Sequence, residues 1–311
     1  MSRTVKDYSV IILKGIAMCV ADVIPGVSGG TIAFIAGIYE ELIDSIKSIN
    51  LSALKLLLTG KVAGFWKAIN GNFLLNLITG IAFSIFSLAK GLKYLLDHHP
   101  ILVWSFFFGL VIASTIYVVR TIKNWKFGTI ISGIAGIVIA YYITIITPAE
   151  ANITTWFIFL SGAIAICAMI LPGISGSFIL VLMGMYKFIL EAVGNFEIAV
   201  IITFLAGAVI GIISFSHVLS WLLKKHHNLT IALLSGFMVG SLNKVWPWKK
   251  VVETFTDRHG EIKPLIEENI LPATYEQLTG NQAFLGGAVI LAVIGFVLIF
   301  VIETIANRLK K

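Results

Sequence analysis

Two short stretches of this chain place proline, glycine and hydroxyl side chains at the same spacing inside apolar sequence. They are Pro25-Gly26-Val27-Ser28-Gly29-Gly30-Thr31 and Pro172-Gly173-Ile174-Ser175-Gly176-Ser177. Proline lacks an N–H and glycine tolerates turns, so each stretch should interrupt one helix and open another. The first turn of a helix holds N–H groups without intrahelical partners, together with the positive end of the dipole. That combination binds anions, phosphate above all. Gly26, Gly29, Gly30, Gly173 and Gly176 would let a ligand approach the backbone, while Ser28, Thr31, Ser175 and Ser177 offer hydroxyl donors to the same oxygens. One such motif alone reads better as a device for close helix packing. Two copies at matching positions reverse that preference.

Composition sets the surroundings of both motifs. Of 311 residues, 58% are hydrophobic and only 13% charged, and mean hydropathy is +0.96. A soluble domain carries about 25% charged residues because water must be met by a polar shell. Too few are present here, so lipid is the solvent for most of the surface. The formal net charge of +7 does not indicate nucleic acid, because the basic residues stand at the ends of apolar segments, as positive-inside anchors do. Cys19 and Cys167 lie far apart in apolar runs and read as free thiols. The N-terminus, with Arg3 and Lys6 before an apolar run, lacks a small-residue cleavage site ahead of Asp22 and reads as part of the fold.

A helix crosses the hydrocarbon core with about 20 apolar residues. Residues 1–149 hold three such segments, near 72–96, 101–120 and 127–147, and residues 150–311 hold three more, near 197–223, 228–245 and 282–306. Each half opens with a longer segment, 8–48 or 153–193, centred on one of the two motifs. No charged residue occurs between Ala151 and Tyr186. As one straight helix that stretch would be about 54 Å long, against a core of about 30 Å. It must break, and Pro172 is where. The expected fold is an all-α polytopic membrane protein forming a single membrane domain. Each half is a broken helical hairpin, re-entrant or crossing twice, followed by three transmembrane helices.

The halves are copies. Aligning 24–39 with 171–186 gives seven identities in sixteen positions: Pro25/Pro172, Gly26/Gly173, Ser28/Ser175, Gly29/Gly176, Ile32/Ile179, Gly37/Gly184 and Tyr39/Tyr186. With a shorter offset the likeness continues through Gly80/Gly207, Ser87/Ser214, His99/His226 and Gly109/Gly236. Arg120, Lys123 and Lys126 in one loop, the basic N-terminus and the C-terminal Arg308, Lys310 and Lys311 all read as cytoplasmic. The 246–281 loop, with more acidic than basic residues, suits the outside. Equivalent loops then fall on opposite faces, which makes the repeat an inverted one, the architecture of alternating-access transporters.

Asp22 stands three residues before Pro25, where the second half has Met169. An intramembrane carboxylate is costly and usually functional. It could cap free N–H groups, pair with a cation or carry a coupling proton; ionised, it would repel a phosphate, so protonation on binding is a coherent mechanism. A capping group near an interface is an equal alternative. Glu40, Glu41 and Asp44, like Lys187 and Glu191, read as solvated edges, and His217 as a packing histidine rather than a proton relay. Tyr39 and Tyr186 look like interface anchors, and Trp246 and Trp248 like an outer aromatic belt. The pairs His98-His99 and His226-His227 lack ligand spacing for a metal, and the Gly-x-Ser-Gly pieces follow no strand, so they are not nucleophile elbows. No cofactor motif is present.

The run Ala21-Asp22-Val23-Ile24-Pro25-Gly26-Val27-Ser28-Gly29-Gly30-Thr31, with Gly37-Ile38-Tyr39-Glu40 after it, resembles a bacterial and archaeal membrane family long catalogued as a domain of unknown function. The second signature, Ile170 to Ser177 with Gly184-Met185-Tyr186, matches it too. That family is associated with polyprenyl-phosphate transport. The resemblance implies that undecaprenyl phosphate, the lipid carrier of cell-wall sugars, is returned from the outer to the inner leaflet of the cytoplasmic membrane. It also implies that Asp22, Ser28–Thr31 and Ser175–Ser177 lie in or near the lipid-phosphate site. A proton or cation would supply coupling, since no nucleotide-binding motif exists, and the chain would be no enzyme. Two other classes stay open: a transporter for a small inorganic anion, and a membrane lipid-phosphate phosphatase.

Overall fold

The computed structural model of the protein describes residues 3–22, 28–87, 89–146, 153–256 and 262–309. In the first half, α1 (Val5–Asp22) leads into the first motif. It is followed by α2 (Gly29–Ile35), α3 (Tyr39–Lys47), α4 (Leu51–Leu58), α5 (Val62–Ala68), α6 (Gly71–Ser87), α7 (Ala89–His98), α8 (Pro100–Val119) and α9 (Phe127–Ile145). In the second half, α10 (Thr155–Ile170) leads into the second motif. Then come α11 (Gly176–Leu182), α12 (Tyr186–Gly194), α13 (Ile198–Lys225), α14 (His227–Ser241), strands β1 (Lys249–Thr256) and β2 (Ile262–Asn269), α15 (Pro272–Thr279) and α16 (Leu285–Leu309). Pro25, Gly26 and Val27 lie outside the described residues, so the helices on either side of the first break are described and its turn is not.

The chain is mostly helical and membrane-like, but the six uninterrupted spans need correction. Among the described residues α8, α9 and α13 are each long and apolar enough to cross a membrane alone. Counting the bent pairs α5–α6 (72°) and α11–α12 (111°) as one span each gives up to five. Helices α6 and α7 flank Leu88, which lies outside the described residues, and the 228–245 segment stops at Ser241. Polar residues at Asn243 and Lys244 limit α14. The all-α expectation is also corrected. Lys249–Thr256 and Ile262–Asn269 pair as the antiparallel strands of a β-hairpin, with an irregular register near Glu253. Val251, Val252, Thr254 and Thr256 give β1 the β-branched content that favours strands.

Each motif turns its chain back on itself. The α2 helix returns along α1: Gly29 N–H donates to Asp22 at one end, and the Lys14 ammonium donates to the Ala36 carbonyl at the other, 2.6 Å away. The start of α3 then stands beside residue 3, where Arg3 and Asn70 both donate to Glu41 at 2.7 and 2.8 Å. So the chain comes back to the end at which α1 began, and α6 starts there and runs beside α1 in the same direction. Gly15 faces the Leu77 carbonyl and Gly80 faces the Ile12 carbonyl; a Cβ at either would collide with backbone. In the second half α13 crosses α10 in the same way, Gly162 against the Phe204 carbonyl and Gly207 against that of Phe159. Those glycines occupy matching positions in the two halves. In lipid no hydrophobic drive separates helices from solvent, and such close backbone approach supplies van der Waals contact instead.

The remaining long helices pair across the halves, α8 with α16 and α9 with α14. Here too the contacts mirror one another: Gly109 meets Ala292 while Gly236, its repeat mate, meets Gly133. One end of the bundle gathers basic residues. There Lys224 pairs with Asp44 at 2.7 Å, Lys47 donates to Ser220 at 3.1 Å, His227 lies 3.6 Å from Glu40, and Arg120 covers the Phe300 ring. Glu41 and Asp44 are therefore ion-paired struts between helices rather than a merely solvated edge, while Glu40 stays largely exposed. The opposite end carries the β-hairpin and α15. Trp246 and Trp248 are not a lipid belt: their indole N–H groups donate to Ile270 and Ala283 carbonyls, 2.9 Å each, and fasten that cap.

Candidate functional site at the junction of the two breaks

The two helix breaks meet tip to tip inside the bundle. The Ser28 hydroxyl donates to the Met169 carbonyl at 2.7 Å, and the Gly173 N–H donates to the Thr31 hydroxyl at 3.0 Å. Gly30 packs flat on the Ile170 carbonyl, where any side chain would clash. Tyr39 is buried, not an interface anchor; its hydroxyl donates to the same Ile170 carbonyl at 3.2 Å. Gly173 holds φ +86°, a left-handed conformation, and lies against Phe237, Met238 and Ser241 of α14. Ser28 and Thr31 are fully buried. The Ser28 hydroxyl, expected as a donor to a ligand, donates to Met169 instead, and the Thr31 hydroxyl oxygen accepts from Gly173.

What remains available differs between the breaks. At the start of α2 every N–H is satisfied: Gly29 by the Asp22 carboxylate at 2.6 Å, Gly30 by the Ser28 hydroxyl at 3.0 Å, Thr31 by the Ser28 carbonyl at 2.9 Å. Asp22 sits where a bound anion would sit, so it caps the helix, the first of the expected roles. At the start of α11 the corresponding residue is Met169, packed against Gly176. Ser175 does not cap α11; its hydroxyl pairs with that of Ser177 at 2.8 Å. Among the described residues no partner is found for the N–H groups of Gly176, Ser177 and Phe178. First-turn N–H groups have no intrahelical partner and can meet acceptor oxygens. Of the expected site residues, the structure thus brings Asp22, Ser28, Gly29, Gly30, Thr31, Gly173, Ser175, Gly176 and Ser177 to one junction; Gly26 lies outside the described residues.

Residues 18–263, which include both motifs, match the family described as VCA0040-like, undecaprenyl phosphate translocase-like. The chain belongs to this family. A relative from Vibrio cholerae serotype O1 (strain ATCC 39315 / El Tor Inaba N16961), named polyprenyl-phosphate transporter, is 47% identical over 300 residues, covering 96% of this chain and 97% of its own. One from Staphylococcus aureus (strain NCTC 8325 / PS 47), with the same name, is 36% identical over 255 residues, 76% of this chain and 85% of its own. No solved structure matches the chain.

The chain carries further polar groups in its helices. Among the described residues His217 bonds only within its own helix, to the Ile213 carbonyl at 2.8 Å, as a packing histidine does. Cys19 and Cys167 are both free, and Cys167 leans on the Gly211 carbonyl. No group of three metal-ligating side chains occurs among the described residues. On the far side of α14 from Gly173, a groove of about 440 Å³ is lined by Phe108, Ile137, Tyr141, Val239, Trp246 and Ile270 among others. It shares with the junction the last turn of α14. Sequence reasoning missed one cluster beside the junction: Lys244, Lys249 and Glu267. Their positions in an outer loop gave no signal, because only the folded hairpin brings them together.

Proposed function

We propose that this chain carries undecaprenyl phosphate across the cytoplasmic membrane, from the outer leaflet to the inner, returning the lipid carrier for cell-envelope synthesis. The observation that carries this reading is the meeting of the two helix breaks, bonded at Ser28–Met169 and Thr31–Gly173. Family membership and the names of both relatives support the substrate class. Residues 1–149 and 150–311 are read as an inverted repeat with re-entrant hairpins. That reading is supported by the mirrored pairs α1–α6 and α10–α13, α8–α16 and α9–α14. It is supported also by direction: α14 ends near Trp104, where α8 begins, so the repeat mates α8 and α14 run oppositely. The basic end, with Arg3, Lys47, Arg120 and Lys224, is read as cytoplasmic, and both chain termini are assigned to the same side.

In this mechanism the phosphate binds at α11. Gly176, Ser177 and Phe178 supply N–H donors, and Ser175 and Ser177 supply hydroxyls. Asp22 already occupies the mate position on α2, so an anion reaches that helix only when the Asp22 carboxylate is neutralised and leaves. Uptake of a proton or cation by Asp22 would thus couple an ion gradient to movement of the phosphate between breaks. The apolar groove along α14 suits the first isoprene units of the tail. Native mass spectrometry of the purified protein with undecaprenyl phosphate, undecaprenyl diphosphate and inorganic phosphate tests the reading. Selective retention of the lipid monophosphate is expected. Preference for inorganic phosphate would favour a small-anion transporter, and release of phosphate from the lipid would favour a phosphatase; either sinks the proposal.

A further inference from the structure

The cluster at the hairpin end holds more positive than negative charge in a nearly closed space. Lys249 and Lys244 approach the same Glu267 oxygen, Oε2, at 3.3 and 3.7 Å. The side chains of Lys249, Lys244 and Glu267 are 6%, 17% and 21% exposed. The remaining faces of the two ammonium groups are aromatic: Lys249 lies 3.6 Å from the centre of the Trp104 ring, and Lys244 lies 4.7 Å from that of Phe178. The charged groups that act on Lys249 are Glu267 and Lys244, so one carboxylate serves two ammonium groups. Burying an unmatched charge is strongly unfavourable, and cation–π contacts offset only part of the cost. A structural ion pair would need one lysine. Two lysines converging on a single oxygen are the arrangement that holds a doubly charged phosphate.

The position matters as much as the charge. Phe178 is the third residue of α11, the helix whose N–H groups are open, and Lys244 stands one turn beyond Ser241, which touches Gly173. On the other side Val245 packs with Trp104 and Ala21, the neighbour of Asp22. We infer that Lys244 and Lys249 form a receiving site for a phosphate monoester headgroup at the hairpin end, in which Glu267 stands in for the phosphate and is displaced when the lipid arrives. The inference rests on the proposed transport of a polyprenyl phosphate. It adds a first stop before the break junction and makes the base of the β-hairpin a gate held shut by its own carboxylate.

The test measures affinity of the full-length protein in nanodiscs for undecaprenyl phosphate, with inorganic phosphate in a parallel arm. Lys249→Gln and Lys244→Gln should each weaken lipid binding about tenfold, the usual cost of one charge-assisted contact. Glu267→Gln should tighten it by several-fold, because the internal competitor is gone. A purely structural ion pair predicts the opposite for Glu267→Gln, with lowered thermal stability and no gain in affinity. That result overturns the inference, as does unchanged lipid binding in all three variants. If Lys249→Gln fails to fold, Lys244→Gln and Glu267→Gln decide by themselves. A Glu267→Gln gain confined to inorganic phosphate overturns the assignment to a lipid headgroup. Failure of the underlying reading looks different: wild type, Glu267→Gln and Ser175→Ala/Ser177→Ala proteins would then all show no binding of the lipid.

Discussion

The two breaks share Pro-Gly-x-Ser-Gly, yet one is closed and the other open. In the first, Ser28 caps α2 and Asp22 covers its N-terminus. In the second, the same serine turns aside to Ser177, and Met169 replaces the carboxylate. Position 30 explains part of the difference. It is glycine in the first break, so the helix lies flat on the Ile170 carbonyl, and serine in the second, where a hydroxyl diverts Ser175. A duplicated motif therefore does not guarantee duplicated chemistry. One copy became the clasp between the halves, and the other kept its donors.

Substitutions can break this comparison or sharpen it. The largest effect is expected where backbone meets backbone. Gly30→Val and Gly173→Val should each cost upwards of about 4 kcal/mol, from collision with Ile170 or with α14 and, at Gly173, from the left-handed backbone. The yield of monodisperse protein should collapse for both, and a normal yield from either would show that the breaks do not touch as described. Next comes the division of labour. Ser28→Ala should lower thermal stability by about 1–2 kcal/mol through loss of a buried cap. Ser175→Ala/Ser177→Ala should instead weaken lipid-phosphate binding about tenfold or more at nearly constant stability. The reverse pattern would exchange the roles of the two breaks.

Asp22→Asn separates capping from coupling. Asparagine keeps an acceptor for the Gly29 N–H, so the fold should survive with a loss near or below about 1 kcal/mol. Transport in proteoliposomes should fall about tenfold or more, with lipid binding retained. Normal transport would remove Asp22 from the coupling step. The smallest effect concerns pH. Burial pushes the Lys249 amine down to about 8 from its ordinary 10.5, with Glu267 opposing the shift and Lys244 adding to it. As pH rises through about 8 the folded protein loses that charge, so lipid-phosphate affinity at the hairpin end should fall. Stability should rise over the same interval, since the unfolded chain then binds more protons than the folded one. Lys249→Arg should flatten the affinity profile, because arginine stays charged.

Much of the plan was legible from residue types alone. Apolar runs located the helices to within a few residues, and proline with glycine marked the breaks, because backbone geometry there is a local property. Repeat mates such as Gly80 and Gly207 also perform the same packing role in each half. The β-hairpin was passed over because a charged loop hides eight-residue strands. Tyr39 and the two tryptophans were misplaced for one reason. Aromatic residues near segment ends look alike whether they face lipid or a partner helix.

Sequence by itself determined that this chain is apolar enough for a membrane, that two related motifs recur in it, and that each motif interrupts helix. Those facts follow from composition, periodicity and the chirality of the backbone, all of which act over a few residues. Only the tertiary structure decided which break is spent as a clasp, that Asp22 lies on α2, and that Lys244, Lys249 and Glu267 converge beside Phe178. Such outcomes depend on which donors and acceptors meet across 141 residues of chain, as Ser28 and Met169 do. No local preference encodes a pairing at that separation; it is selected when buried polar groups must find partners in a medium that offers no water.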